Sequence, residues 1–302
     1  MNEIKYRYSI IIPHYRVPKM LSRCLYSIPK RKDTQVIVVD DNSGNDYIKQ
    51  LKHLEEEYPN VYFIYSDENG GGGRARNIAL KHAVGEYVIF ADADDYFNYC
   101  FFDILDEYEN TQYDIVFFNA THLDAETYLP NDRLTTLRSL LIVYKKNKNL
   151  SLFRYIFGEP WCKIIRRAII EKNKIWFEEL PVHNDTRFSY MIGYYASSVK
   201  FDNRALYCVL DRTGSVSKQL DHDKQLLRVR VFSEKNSFLR DHNIKIFDYL
   251  MLNPFQYYLK RLDVKHLNMC FDISRKYGFS KAFILWKIIL RRLRFLILGE
   301  IN

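Results

Sequence analysis

From Tyr8 to Ala91 the chain repeats one unit, a short β-branched run followed by a helical segment. The runs are Tyr8–Pro13 (YSIIIP), Gln35–Asp40 (QVIVVD), Val61–Ser66 (VYFIYS) and Tyr87–Ala91; the helical segments between them are Lys19–Ile28, about Asp46–Tyr58 and Arg74–Ala83. Strands separated by helices at this spacing need crossover connections, which predicts a mostly parallel sheet with helices on its faces. Open sheets of that kind bind ligands outside the carboxyl ends of their strands. Here those ends carry the polar residues: Pro13-His14-Tyr15, Asp40-Asp41-Asn42-Ser43, Asp67-Glu68-Asn69 and Asp92 to Asp95. Four strand ends converging on one polar rim predict a site there.

The fourth run ends in Asp92-Ala93-Asp94-Asp95. Carboxylates crowded at the end of a buried strand are costly unless a positive charge neutralises them. Hard oxygen ligands suit Mg2+ or Mn2+, held by one or two carboxylates together with substrate phosphates. The alternative is a loop in which one Asp caps the next helix and the others face water. Gly70-Gly71-Gly72-Gly73-Arg74-Ala75-Arg76-Asn77 follows the third strand and opens a helix. Glycines there permit close backbone approach, a helix N-terminus favours an anion, and the arginines add donors that pair with phosphate. Neither a P-loop nor a complete G-x-G-x-x-G is present, so the phosphate reading rests on the neighbouring acids.

Beyond the first hundred residues the pattern is mixed. Asp114–Ala120 reads as a strand, Leu134–Ile156 as mainly helical, Cys162–Ile165 and Leu206–Asp211 as strands, and Asp185–Tyr195 as a helix between them. After Leu220 only helical character remains. The expected organisation is a catalytic domain over 1–218, with halves 1–100 and 101–218, and a helical extension over 219–302. A net charge of +8 suits an anionic partner, and 16% aromatic residues suit stacking on bases or sugars. No basic-aromatic nucleic-acid module is present, so nucleic acid is not expected. Five scattered cysteines with no C-x-x-C pair point to a reducing compartment and away from a zinc site. With no hydrophobic leader before Tyr8, a cytoplasmic location is expected. No run is long and apolar enough to span a bilayer. Phe283–Leu298 combines large apolar residues with Lys287, Arg291, Arg292 and Arg294, and 287, 291 and 294 share a helical face. Residues 280–302 are therefore expected either to contact the cytoplasmic face of the inner membrane, with Trp286 and Phe295 near the headgroups, or to pack on the protein.

Taken in order, the motifs resemble the family 2 glycosyltransferases with a GT-A fold. The matching pieces are Ile12-Pro13-His14-Tyr15, Val38-Val39-Asp40-Asp41-Asn42-Ser43, Asn69-Gly70 through Ala75-Arg76-Asn77, and Asp92-Ala93-Asp94-Asp95, within a resemblance covering roughly residues 8 to 217. It implies an α/β GT-A fold, a Rossmann-like mixed sheet with a C-terminal helical extension. It also implies that Pro13 and Tyr15 line the nucleotide base, Asp41 accepts from the base edge and Asp40 supports that loop. Arg76 would face the donor phosphates, Asp92 would sit near the ribose, and Asp94 or Asp95 would hold the metal on the diphosphate, with Asp94 preferred. The family's acid at the start of a later helix corresponds to Asp185, with Asn184 where Glu is usual; Glu178 and Glu179 are rival bases. Glu159 to Arg167 resembles the family's W-x-K-L-x-R-R segment, in which Trp161 either meets a sugar or lies in the core. Arg212 to Ser217 resembles a closing loop, and His222 just beyond it is a further candidate near the metal.

The expected reaction is inverting transfer of a sugar from a nucleotide diphosphate, UDP by family frequency, to a hydroxyl of a glycan or polyprenyl-linked acceptor in cell-surface polysaccharide synthesis. Mn2+ or Mg2+ would neutralise the leaving diphosphate. The Q-x-x-R-W motif of processive synthases is missing, which favours single addition. A nucleotidyltransferase, or a membrane-associated binding module with a degenerate site, are the rival readings.

Overall fold

The computed structural model describes residues 6–130, 135–211 and 221–298. The strands among these residues form one eight-stranded sheet. The first half is β1 (Tyr8–His14), α1 (Pro18–Tyr26), β2 (Thr34–Asp40), α2 (Asn45–Glu57), β3 (Val61–Tyr65), α3 (Gly71–His82) and β4 (Tyr87–Phe90). Strands β3, β2, β1 and β4 are parallel, as the crossover spacing requires. Ile10, Ile11, Ile12, Ile37, Val38 and Val39 are fully buried, which explains why these strands read as continuous apolar runs rather than alternating ones. In the register of β1 and β2, His14 lies opposite Asp40, so both strands end at the same level.

The second half adds β5 (Tyr96–Phe97), α4 (Phe101–Glu107), β6 (Ile115–Asp124), α5 (Thr135–Asn147), α6 (Ser151–Tyr155), β7 (Lys163–Arg166), α7 (Arg167–Lys172), α8 (Thr186–Tyr195) and β8 (Val199–Asp211). Strand β7 runs antiparallel to both β4 and β6 and joins the halves into one mixed sheet ordered β3-β2-β1-β4-β7-β6-β8-β5. The helix expected over 134–156 is split. Lys148 takes a positive φ, and Asn147 and Asn149 each accept from the backbone N–H two residues on, which breaks the helix between α5 and α6. Strand β8 starts seven residues earlier than the expected Leu206. Its register against β6 slips after Phe118, and the polar stretch Asp202–Arg204 at that irregularity hides the alternation.

The C-terminal part is helical: α9 (His222–Asp241), α10 (Asn253–Arg261), α11 (Val264–Lys276) and α12 (Lys281–Leu298). Asp221 caps α9 by accepting from Lys224 N. Val229, Phe255, Phe271 and Ile284 belong to a second core there, separate from the core around the sheet. A small cluster of Tyr155, Tyr190 and Leu239 ties α9 to α6 and α8. The expected basic face of α12 is turned differently. Ile284 and Ile288 enter the core, and half-buried Arg291 donates to Tyr249 O (3.3 Å) and Asn253 Oδ1 (2.7 Å). With Arg291 turned inward, the exposed side of α12 carries the apolar Leu285, Trp286, Ile289 and Leu293 together with Arg292. The side chains of Arg294 and Phe295 and residues 299–302 lie outside the described set.

Candidate active site

At the ends of β1 and β2, His14 Nδ1 lies 2.8 Å from Asp40 Oδ1, both fully buried. His14 Nε2 accepts from Val17 N at 3.1 Å, so the ring proton is on Nδ1 and is donated to Asp40. Asp40 also accepts from the hydroxyl and backbone N–H of Ser43, and these bonds hold its carboxyl below the usual range despite burial. Asp40 thus braces the rim from beneath. Tyr15 is exposed beside half-buried Pro13, with the Arg16 guanidinium 4.8 Å from its ring centre, an arrangement able to receive a flat base.

The glycine run forms the start of α3 rather than an open loop. Gly71 has φ +81°, and a Cβ on Gly73 would lie 2.2 Å from Glu178 O. Only glycine permits that approach, which seats α3 against the 178–184 segment. The anion at this helix N-terminus is Asp41 itself: its oxygens accept from Gly70 N (2.9 Å) and Gly71 N (2.7 Å). The anion position at this helix end, expected to receive phosphate, is therefore held by a carboxylate from the chain. Asp41 is buried, and its oxygens retain further lone pairs for a base edge.

Arg76, on the first turns of α3, joins the two halves. It donates to Asp92 Oδ1 (2.5 Å) and Asn184 Oδ1 (3.2 Å), and its buried Nε has no partner among the described residues. Its guanidinium lies 5.4 Å from the Phe177 ring centre. The backbone N–H of Asp92 donates to the buried Tyr207 hydroxyl at 2.7 Å. Asp94 is half-buried, and its carbonyl accepts from Arg23. Asp95 is the other carboxylate expected at the donor. It is 4% exposed and accepts from Leu210 N at 2.8 Å, tying the rim to β8. Burial, then the charges of Asp94 and Asp92, push its carboxyl well above the usual range. The charges of Asp94 and Asp92 bear on Asp95 in a desolvated rim, where a divalent cation would relieve the repulsion, and Asp92 and Asp94 are both half-buried rather than enclosed.

Asp185 stands at the N-cap position of α8, yet its side chain makes no capping hydrogen bond among the described residues. The capping alternative therefore does not account for it. Burial raises its carboxyl above the ordinary range, partly opposed by Arg76 and reinforced by Asp92. Of the rival bases, Glu178 is turned toward Arg230 on α9 at 4.0 Å, and Glu179 is exposed. Buried Lys163 donates to Phe157 O (2.9 Å) and Ser189 Oγ (3.3 Å), and burial lowers it to about 8. Its charge and that of Glu159 act on the Asp185 environment. Tyr207 and Lys163 had only weak sequence signals, a tyrosine within a strand and the lysine of the W-x-K segment. Trp161 is 6% exposed and stacked on Tyr207 with centroids 5.7 Å apart, which places it in the core. His222 is drawn elsewhere: it bonds the Tyr258 hydroxyl (3.1 Å) and stacks on His266 (3.9 Å) in the C-terminal helices. The Arg212–Ser217 loop lies outside the described residues.

Comparison with known proteins bears on the family and the fold. The model of Glycosyl transferase family 2 matches residues 9–173. A cholesterol galactosyltransferase of Borreliella burgdorferi is 24% identical over 336 residues, covering 95% of this chain and 92% of the relative. The poly(ribitol-phosphate) β-N-acetylglucosaminyltransferase TarS of Staphylococcus aureus is 28% identical over 221 residues, covering 69% of this chain and 36% of its own length. The crystal structure of TarS 1–349 in complex with UDP-GlcNAc has a TM-score of 0.59 at 25% identity, over 90% of this chain and 75% of that one. The mannosyltransferase PcManGT of Pyrobaculum calidifontis, in complex with GDP-Man and Mn2+, shares the fold at 14% identity with a TM-score of 0.54, over 98% and 82%. The mixed sheet with its helical C-terminal region is the GT-A architecture.

Proposed function

The chain belongs to glycosyl transferase family 2 and is a glycosyltransferase, and on that premise we propose that it moves a sugar from a UDP-sugar, with inversion, to a hydroxyl of a glycan or lipid-linked glycan. The observation that carries this reading is Asp185: an uncapping carboxylate with a raised pKa, next to the residue that binds Arg76. As general base it takes the acceptor hydroxyl proton, and the oxygen attacks the anomeric carbon while the bond to the diphosphate breaks. Tyr15 and Pro13 stack the base, Asp41 orients its edge, and Arg76 and Asp92 fix the donor between the two halves of the sheet. A bound Mn2+ or Mg2+ would neutralise charge on the leaving diphosphate, held by Asp94. The UDP-GlcNAc complex of TarS supports a UDP-sugar, and relatives named as a cholesterol galactosyltransferase and a poly(ribitol-phosphate) β-N-acetylglucosaminyltransferase support a lipid or polymer hydroxyl as acceptor. Among the described residues no helix is long and apolar enough to cross a membrane. The apolar outer face of α12 suits contact with the cytoplasmic face of a bilayer.

A panel of nucleotide sugars incubated with the protein and Mn2+ tests the reaction class. The expected product from one of them is a free nucleoside diphosphate; release of pyrophosphate would replace glycosyl transfer with nucleotidyl transfer.

A further inference from the structure

Away from the donor rim, a cavity of about 740 Å³ opens between α5, α6, α9, the 243–250 segment and α12. That volume is in the range of sites that enclose a small molecule. Its inner wall is aliphatic and aromatic, including Leu140, Val143, Ile156 and Phe279. Three cations, Arg240, Lys245 and Lys287, line it as well. Among the described lining residues Asp248 carries the only carboxylate, and it is bonded to Lys235 at 2.7 Å, with both side chains almost fully buried. Arg240 is paired with Asp241 at 2.9 Å, and cations outnumber carboxylates along the described lining. The Lys287 ammonium sits 4.6 Å from the Phe247 ring centre and 5.0 Å from that of Trp286.

Helical geometry connects this cavity with the exposed face of α12. At about 100° per residue, Phe283 and Lys287 on the cavity side adjoin the stripe of Trp286, Ile289 and Leu293. Those three are 52%, 57% and 49% exposed. The Trp286 ring lies 5.9 Å from that of Phe283, so apolar surface runs from the outside of the helix to the cavity wall.

We propose that this cavity binds an anionic amphiphile, its apolar chain among Leu140, Val143 and Phe279 and its phosphate at Lys245 and Lys287. The occupant is a phosphate-bearing lipid of the bilayer on which α12 rests. Charge complementarity selects the anionic head, and the continuous apolar path selects a chain rather than a free anion. The inference rests on the membrane reading of α12 but not on the donor chemistry, and its test uses no nucleotide sugar.

Calorimetric titration of the full chain with decyl phosphate, kept below its micellar concentration, tests the site. Saturable binding of one molecule per chain is expected, at least tenfold tighter than decyl maltoside or inorganic phosphate. Lys245→Glu, an exposed position that the fold does not depend on, and Val143→Trp, which fills the cavity, should each weaken it tenfold or more. Thermal unfolding of both variants checks that they are folded. Ile289→Ser should reduce partition onto vesicles containing phosphatidylglycerol yet keep decyl phosphate binding. Unchanged binding by folded Lys245→Glu, or equal binding of inorganic phosphate, overturns the proposal. Loss of vesicle partition by Ile289→Ser with no decyl phosphate binding by the wild type would leave only a membrane-contacting helix and would equally overturn it.

Discussion

Charge placement at single residues decides the chemistry of the rim. Asp40, Asp41, Asp92 and Asp95 all look like ligand-binding acids in the sequence, but their partners divide them. Asp40 and Asp41 are bonded to the protein's own donors, Asp92 to Arg76, and Asp95 to β8. Asp185 is raised by burial and further by Asp92. A base works when deprotonated, so a raised pKa moves the acid limb of activity upward from about 3.9, and activity falls as pH drops through it. Asp92→Asn removes one charge that disfavours ionisation of Asp185. The limb of kcat/KM is therefore expected to move to lower pH in that variant, alongside a lower rate from the loss of the Arg76 partner. A pH–rate profile measures both, and an upward shift would contradict the placement of Asp185 beside Asp92.

Among the elements, α3 does the most to assemble the site, because it touches β1, β2 and the 178–184 segment together. Asn77 on this helix exchanges two hydrogen bonds with the backbone of Phe177, at 3.0 and 2.9 Å. A methyl group at Gly73 would strike the Glu178 carbonyl and force that contact apart. Gly73→Ala is expected to lower transfer by tenfold or more by separating Arg76 from Asn184, and to destabilise the fold by roughly 1–3 kcal/mol. Activity and urea unfolding measured together check it; wild-type values in both would refute the close approach. The sequence made the four parallel strands and their polar ends readable, because buried parallel strands are written as unbroken apolar runs. It hid the lower part of β8, where the irregular pairing with β6 disrupts alternation, and β5, which is only two residues long. The glycine run was legible as a helix opening, but its purpose was not. Spacing alone does not reveal that Asp41, some thirty residues earlier, would take the helix N-terminus.

Across the whole molecule, β7 joins two half-sheets and Arg76 bridges the site between them. The helical part is bound to this frame through α9, whose Phe232 ring lies 5.2 Å from His183, two residues before Asp185. The family motifs fall on the catalytic frame and were legible; the orientation of α12 was not, because periodicity marks faces without saying which one the core takes. Lys287 and Arg291 face inward and an apolar stripe remains outside. In the proposed mechanism the two halves divide the labour, donor binding at Asp94 and proton transfer at Asp185. The direct measurement is UDP-sugar binding with Mn2+, and transfer to acceptor, in Asp185→Asn and Asp94→Ala. Division of labour predicts that Asp185→Asn binds donor as the wild type does while transfer falls by about 10²–10⁴-fold, and that Asp94→Ala loses both. Transfer by Asp185→Asn at the wild-type rate would contradict it.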